Sequence, residues 1–246
     1  MRKKIAIVTG AGQGIGRAIA LALAKQGTVP VIADINGETA HKVADELKTM
    51  GVPGMSQSVD VSDVEAVTQM VRAVVEKFDT IDILVNNAGI LHATPIEDIT
   101  EQEWDRMMAV NLKSVFFASQ QVLPYMKAQR WGRIINMSSL AGRMGGYGNG
   151  VGYAATKAGI IGLTMSMARR VAPFDITVNS VAPGTTESAI LQSFSAERIR
   201  ELQGMVPLGR LGKPEDIAAL CAFLASEEAG FITGAVIDIN GGMFMG

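Results

Sequence analysis

The 246-residue chain is 48% hydrophobic and 19% charged, with a net charge of −2. That length suits one large α/β domain with a well-buried core, or two small ones. The near-neutral charge gives no reason to expect nucleic acid or an anionic membrane as a partner, and the single cysteine, Cys221, excludes an internal disulfide and shows no metal-ligand pattern.

Arg2, Lys3 and Lys4 precede a short apolar run that superficially resembles a leader peptide, but Thr9-Gly10 interrupts it. No stretch approaches the ~18 apolar residues of a membrane span, so a cytoplasmic protein is expected. Strands are predicted over residues 5–9, 29–33, 54–59, 81–85, 133–138, 176–182 and 235–239. Helical periods fall over residues 17–26, 38–50, 63–77, 101–129, 153–171 and 214–225. Strands this apolar suit a parallel sheet buried on both faces, and helices between parallel strands give right-handed crossovers. Pro30 lies near the start of the second strand, where proline is tolerated. Cys221 sits in an apolar helical run and reads as a buried thiol. No linker, composition shift or repeat divides the chain. The expectation is an α/β fold with residues 1–246 as a single domain: a doubly wound, parallel seven-stranded sheet with helices on both faces.

The turn after the first strand reads Thr9-Gly-Ala-Gly-Gln-Gly-Ile-Gly16. The general dinucleotide pattern G-x-G-x-x-G does not fit, because its last position falls on Ile15 or Arg17. T-G-x-x-x-G-x-G does fit, with Gly10, Gly14 and Gly16. A strand, this turn (with Gln13 and Ile15) and then a helix would bring backbone N–H groups and a positive helix end to a phosphate. Glycine turns also arise for backbone reasons alone. Asp34 strengthens the reading: it ends the second strand, where a carboxylate accepts hydrogen bonds from adenosine ribose hydroxyls and repels a 2′-phosphate. No cation stands just before Gly14, and Arg17 lies within the helix. NAD(H) is therefore expected over NADP(H), with Ile35 beside the adenosine. Asp34-Ile-Asn-Gly also reads as a strand-end turn, and the two roles are compatible.

Tyr153 and Lys157 are four residues apart, so on a helix they share a face. Moving a hydride to or from a carbinol carbon requires a group that moves the hydroxyl proton. Free tyrosine, with a pKa near 10, is a poor base at neutral pH, roughly a thousandfold away. A cation about 4 Å away in an effective dielectric of about 20 is worth roughly 4 kcal/mol, or about three pKa units at most. That would bring Tyr153 near the optimum for acid–base work. Ser139 ends the fifth strand and can hydrogen-bond a substrate oxygen as charge develops there. Asn111, polar within an otherwise apolar helical stretch, can hold a water. Small residues around Tyr153 (Ala154, Ala155, Ala158, Gly159 and Gly162) mark a closely packed helix.

Taken together, these pieces resemble the short-chain dehydrogenase/reductase family. The matching residues are Thr9–Gly16, Asp60-Val61, Asn86-Asn87-Ala88-Gly89, Asn111, Ser139, Tyr153-x-x-x-Lys157 and Pro183-Gly184, in order over nearly the whole chain. Closest in character are 3-oxoacyl-thioester reductases and the secondary-alcohol and sugar dehydrogenases similar to them. The resemblance implies a Rossmann fold and a tetrad of Asn111, Ser139, Tyr153 and Lys157. It selects Ser139 over Ser138, and it implies that the Asn111 water links Lys157 to solvent. It sets Asn87, Ala88 and Gly89 against the cofactor, with Asp60 and Val61 at the adenine, although Asp60 could simply serve the start of the helix after Ser62. Pro183, Gly184, Thr186 and Ser188 would complete the cofactor site. Residues 186 and 188 depart from the usual pattern of a hydrophobic residue and a threonine, but Ser188 can still donate to a pyrophosphate or carboxamide.

For substrate, the expectation is a pocket of His92, Ser139, Leu140, Met144, Tyr147, Tyr153 and residues 189–204, with Met144, Phe194 and Met205 favouring an apolar or amphipathic molecule. Residues 142–152 hold six glycines and read as a mobile substrate loop rather than a linker. Family members that act on acyl carrier protein present basic residues to it. Arg130 matches one such position, beside Lys127, but Pro173-Phe174 occupies the other. A CoA thioester or a small secondary alcohol fits both this and NAD(H). The main expectation is a 3-oxoacyl-thioester reductase. The alternatives are an NAD-dependent sugar, polyol or secondary-alcohol dehydrogenase and, more remotely, a non-catalytic NAD(H)-binding sensor. The resemblance also implies a homotetramer, with residues 112–128 and 153–171 at one interface and residues 234–246 at another; the apolar tail Met243-Phe244-Met245 would lie at that second interface or on its own subunit.

Overall fold

The computed structural model describes residues 2–146, 150–187 and 195–246. In chain order the elements are β1 (Ile5–Thr9), α1 (Gly14–Lys25), β2 (Val29–Asp34), α2 (Gly37–Thr49), β3 (Met55–Ser58), α3 (Val64–Phe78) and β4 (Ile83–Asn86). After these come α4 (Glu101–Met108), a π-helical turn (Ala109–Lys113), α5 (Ser114–Gln129), β5 (Gly132–Met137), α6 (Leu140–Met144) and α7 (Val151–Val171). The last are β6 (Ile176–Pro183), α8 (Ala196–Gly204), α9 (Pro214–Leu224) and β7 (Val236–Ile239).

All strand pairings are parallel, and the order is β3-β2-β1-β4-β5-β6-β7. The chain switches direction between β1 and β4, which opens a crevice at the carboxyl ends of those strands. The two-residue strand period divides the core in two. Ala6, Val8, Ile32, Ile83 and Ile135 face one layer, with Ile19 and Leu23 of α1 and Ile217 and Cys221 of α9. Ile5, Ile7, Val31, Leu84 and Ile134 face the other, with Val71 of α3, Val122 of α5 and Met167 of α7. Each fully buried isoleucine or leucine contributes roughly 1.5–3 kcal/mol relative to an exposed one. Cys221 is buried, as expected, and burial pushes its thiol up to about 12.

Side-chain caps set where several helices begin. Asn36 accepts from the N–H groups of Glu38 and Thr39, Asp63 from those of Glu65 and Ala66, and Thr100 from that of Glu103. Each such cap is worth about 1 kcal/mol. Strand ends fall within two residues of the sequence expectation.

The helix expected over residues 101–129 is instead three pieces, because the backbone widens into a π turn at Ala109–Lys113. Among the described residues two α-helices lie outside the sequence expectation, and serine caps explain both. Ser139 Oγ accepts from Ala141 N to start α6 inside the glycine-rich segment, and Ser195 Oγ accepts from Arg198 N to start α8. Among the described residues, no helix is long and apolar enough to cross a membrane.

Candidate active site

The turn between β1 and α1 is held from below by two side chains. Thr9 Oγ1 accepts from the N–H groups of Asn87 (3.0 Å) and Ala88 (3.1 Å). Asn87 Nδ2 in turn donates to the carbonyls of Thr9 (2.9 Å) and Gly10 (3.0 Å), which ties the ends of β1 and β4 together. Glycine is required for space here. A Cβ on Gly16 would fall on Gly10 O and 2.6 Å from Asn87 Nδ2, and one on Gly10, where φ is +62°, would lie 2.8 Å from Ala88 Cα. Gly14 differs: φ is +54° and nothing lies within 4 Å, so its requirement is conformational. Gln13 precedes α1 in extended geometry without a side-chain cap bond, and Ile15 packs against the first core layer.

Asp34 stands at the end of β2. Its Oδ2 accepts from Gly12 N (2.8 Å) and its Oδ1 from Asn36 N (2.9 Å), so it braces the turn as a strand-end residue and retains acceptor capacity. Ile35 next to it is 64% exposed, an apolar surface open at the rim. Arg17, the nearest cation in sequence, is turned away, with Nε and Nη2 donating to the two oxygens of Glu46 at 2.9 and 2.6 Å.

Asp60 does not cap α3; Asp63 does. Asp60 Oδ1 accepts from Ser62 N and Oγ (2.9 and 2.7 Å), and Oδ2 accepts from Arg106 Nη2 (3.1 Å), which holds its carboxyl below the usual range against the burial that raises it. Val61 is buried in the second core layer. Arg106 escapes a reading of the sequence, since only the fold brings α4 beside residue 60.

The four proposed catalytic residues come together from separate parts of the chain. Lys157 on α7 is buried, and its ammonium donates to Met137 O (2.7 Å) at the end of β5. Burial lowers its pKa to about 8. A Cβ on Gly89 would lie 3.3 Å from Asn111 Oδ1 and 3.6 Å from Lys157 Nζ, so Gly89 is the wall shared by both residues. Ser139 caps α6 and lies near enough to Tyr153 to oppose part of the burial that raises the tyrosine pKa. Ser138 instead donates to Lys157 O (2.7 Å), which leaves Ser139 as the serine beside Tyr153.

Two expectations need correction. Tyr153 has its pKa raised by burial, with only the Ser139 hydrogen bond opposing; the Lys157 ammonium, drawn to Met137 O, lies 5.5 Å from the Tyr153 ring centre. The expected lowering by a lysine about 4 Å away is absent from this state of the chain. Likewise, the Asn111 side chain is fully engaged. Its Oδ1 accepts from Ile90 N (2.8 Å), and Nδ2 donates to Ile90 O (2.9 Å), Met107 Sδ (3.1 Å) and Thr156 Oγ1 (3.3 Å). It braces the loop after β4 rather than holding a water with its amide. The π turn surrounds it, and such turns recur at functional sites.

A buried polar chain under the tetrad also lies beyond the sequence reading. Asn86 Nδ2 donates to Ser119 Oγ (3.1 Å) and Asn136 Oδ1 (2.8 Å), and Asn136 Nδ2 donates to Thr164 Oγ1 (2.9 Å). It joins α5, β4, β5 and α7, at about 1 kcal/mol per bond. A polar residue near the end of each of two apolar strands is its only sequence signal. The close packing expected of α7 is found at Gly159, where a Cβ would come 2.9 Å from Leu112, but not at Ala155, Ala158 and Gly162, which are exposed.

Toward the substrate side, His92 is exposed, and its carbonyl accepts from Gly150 N (3.1 Å). Leu140 is buried, Met144 half-buried and Met205 exposed. Pro183 ends β6, and Gly184 passes so close to the end of β7 that a Cβ would lie 2.9 Å from Asn240 Cα. Thr186 Oγ1 donates to Gly184 O (3.1 Å). Tyr147, Ser188 and Phe194 lie outside the described residues.

A doubly wound parallel sheet with a glycine turn at its switch point defines the class, an α/β protein of the architecture that takes its ligands at the carboxyl ends of the strands. A family model described as enoyl-(acyl carrier protein) reductase matches residues 10–244. The chain is 46% identical over 243 residues to a 3-oxoacyl-(acyl-carrier-protein) reductase FabG of Staphylococcus aureus, covering 98% of each chain. It is 43% identical to the protein of that name from Vibrio cholerae over 98% of each, and 40% identical to that from Thermotoga maritima over 98% of this chain and 97% of the relative. The chain belongs to the short-chain dehydrogenase/reductase family and is an oxidoreductase acting on CH–OH groups.

Proposed function

We propose that the chain, acting as one domain over residues 1–246, is an NAD(H)-dependent reductase of 3-oxoacyl thioesters. The observation that carries the cofactor choice is Asp34: its carboxylate faces the glycine turn, while Arg17 is committed to Glu46. A fixed negative charge, with Arg17 drawn to Glu46, favours ribose hydroxyls over a 2′-phosphate. The site fits a dinucleotide, because the cradle at Gly10 and Gly16 has no room for side chains and Gly14 opens onto free space. Gln13, Ile15, Asp34, Ile35, Asp60, Val61, Asn87, Ala88, Gly89, Pro183, Gly184, Thr186 and Ser188 would line it. Once bound, the nicotinamide supplies or accepts the hydride.

The remaining steps belong to the chain. A substrate carbonyl oxygen sits between Ser139 and Tyr153, and Tyr153 gives it the phenolic proton. The raised tyrosine pKa keeps that proton in place at neutral pH until the substrate oxygen takes it. Lys157, a cation below about pH 8, would stabilise the phenolate as it forms once its ammonium turns from Met137 O toward Tyr153. His92, Met144, Tyr147 and Phe194 would flank the substrate.

The curated relatives carry the name of carrier-protein reductases. Here Arg130 donates to Pro173 O (3.1 Å) and Lys127 lies 4.8 Å from the Phe174 ring centre, so both cations are engaged by the corner that replaces the second basic position. This favours a CoA thioester and keeps open a second reading, an NAD-dependent sugar, polyol or secondary-alcohol dehydrogenase. A sensor without turnover has no use for a buried Tyr–Lys–Ser cluster. We infer further a cytoplasmic homotetramer, in which the exposed Phe116 and Met165 of the long helices and Phe231 and Met245 would be covered; a monomeric mass in light scattering contradicts it. Phe244 packs on its own subunit, against Arg143.

Initial rates with acetoacetyl-CoA, with NADH set against NADPH, test the main reading. NADH-linked reduction supports it. Oxidation of a polyol or secondary alcohol with NAD, and no thioester activity, moves the chain to the second reading. Preference for NADPH contradicts the role given to Asp34.

A further inference from the structure

α6 is only five residues long, too short to hold its own position, and Ser139 is its cap. One side of it is fixed by α7: a Cβ on Gly142 would lie 2.6 Å from the Lys157 carbonyl carbon. The other side is fixed through one side chain, Arg143. Its Nη2 lies 3.3 Å from Asp238 Oδ2 on β7 and donates to Gly246 O (3.4 Å), and its guanidinium lies 4.8 Å from the Phe244 ring centre. Both members of the ion pair are largely covered, with side chains 22% and 18% exposed. Arg143 Nε and Asp238 Oδ1 are buried and find no partner among the described residues. Desolvation raises the Asp238 pKa while Arg143 opposes it, as a covered pair requires. Asp238 sits opposite Ala182, one residue before Pro183-Gly184.

We propose that Arg143 is a positioning residue for Ser139: by bridging α6 to Asp238 and to the tail at Phe244, it holds the serine at the distance from Tyr153 that the reaction needs. The proposal rests on Ser139 and Tyr153 acting as proposed above. Short ion pairs on a surface contribute little, but this pair is covered and ties α6 to β7, beyond its other neighbours α7 and β6. Letting the turn drift by a fraction of an ångström costs turnover, since misplacements of about 1 Å cost up to about a hundredfold. The proposed cofactor contacts at the ends of β1, β2 and β4 lie away from α6; those at Pro183 and Gly184 follow Ala182, which pairs with Asp238, so NADH affinity is read on Arg143→Met.

The test compares wild type, Arg143→Met, Asp238→Asn and the charge swap Arg143→Asp/Asp238→Arg, using hydrogen exchange, NADH titration and steady-state rates. The expected result is faster amide exchange over residues 140–145 in both single variants. Turnover falls about tenfold with NADH affinity unchanged, and the swap restores both properties substantially. Unchanged exchange over residues 140–145 in Arg143→Met overturns the proposal, as does a swap no better than the two single changes combined. If Arg143→Met does not fold, Arg143→Lys answers instead: retained protection and near-normal turnover support the bridge, and loss of NADH affinity in step with turnover overturns it. Exchange reads the fastening of α6 even if no thioester is turned over, so failure of the proposed reaction remains distinguishable from failure of this bridge.

Discussion

The nucleotide end and the catalytic end of the site are built in different ways. At the nucleotide end, backbone and glycine do the shaping within eight consecutive residues, and two side chains, Thr9 and Asn87, lock the turn. At the catalytic end, Asn111, Ser139, Tyr153 and Lys157 arrive from a π turn, a short helix cap and one long helix; Asn111 is held by hydrogen bonds with Ile90 and Thr156, and Lys157 by one to Met137 O. A local site fails when atoms collide. An assembled site fails when a support is withdrawn, even if nothing collides.

The comparison can be broken by substitutions that respect it. Gly16→Ala should have the largest effect, because its Cβ falls on Gly10 O. Overpacking of about 3 kcal/mol would weaken NADH binding by about a hundredfold in a fluorescence titration. An unchanged Kd would show that the turn is more compliant than described.

Next comes Lys157. Its pKa is about 8 in the folded chain against an ordinary lysine value of 10.5, so the buried charge destabilises the fold in full below about 8. Between these values the unfolded chain binds the extra proton, and stability should rise with pH by roughly 3 kcal/mol. Lys157→Met should remove that rise, as read from urea midpoints between about pH 7 and 10. Parallel pH profiles for the two proteins would show that Lys157 is not held at a lowered pKa.

Asp34→Asn keeps the bond from Gly12 N but loses the charge. It should raise KM for NADH by about tenfold and narrow discrimination against NADPH, as for a charged hydrogen bond of roughly 1.5 kcal/mol. The smallest effect belongs to Gly14→Ala. With open space but a φ of +54°, it should cost about 1 kcal/mol in stability, read as a fall in Tm, and little in kcat.

The same contrast explains which features the amino-acid sequence discloses by itself. The inner sheet is legible because both faces of its strands are buried, so they are short, largely apolar runs, whereas the edge strand β3 is the polar Met-Ser-Gln-Ser. The glycine turn is legible because glycine spacing is a local property of the backbone. Tyr153 and Lys157 are legible because one helical turn joins them. What supports them is not. Thr156, Arg106, the chain Asn86–Asn136–Thr164 and the pair Arg143–Asp238 each depend on residues far apart in sequence. The π turn is hidden because residues 101–129 keep helical periodicity through it. The pKa of Tyr153 departs from expectation because side-chain spacing gives proximity to Lys157 but not the pull of Met137 O on the ammonium.

The most direct test of the account is Tyr153→Phe, with NADH binding and acetoacetyl-CoA reduction measured on the same preparation. The account predicts an NADH Kd within about twofold of wild type and a loss of turnover of about a thousandfold, the scale of a missing general acid. Turnover near wild type, or binding and turnover lost together, would contradict it.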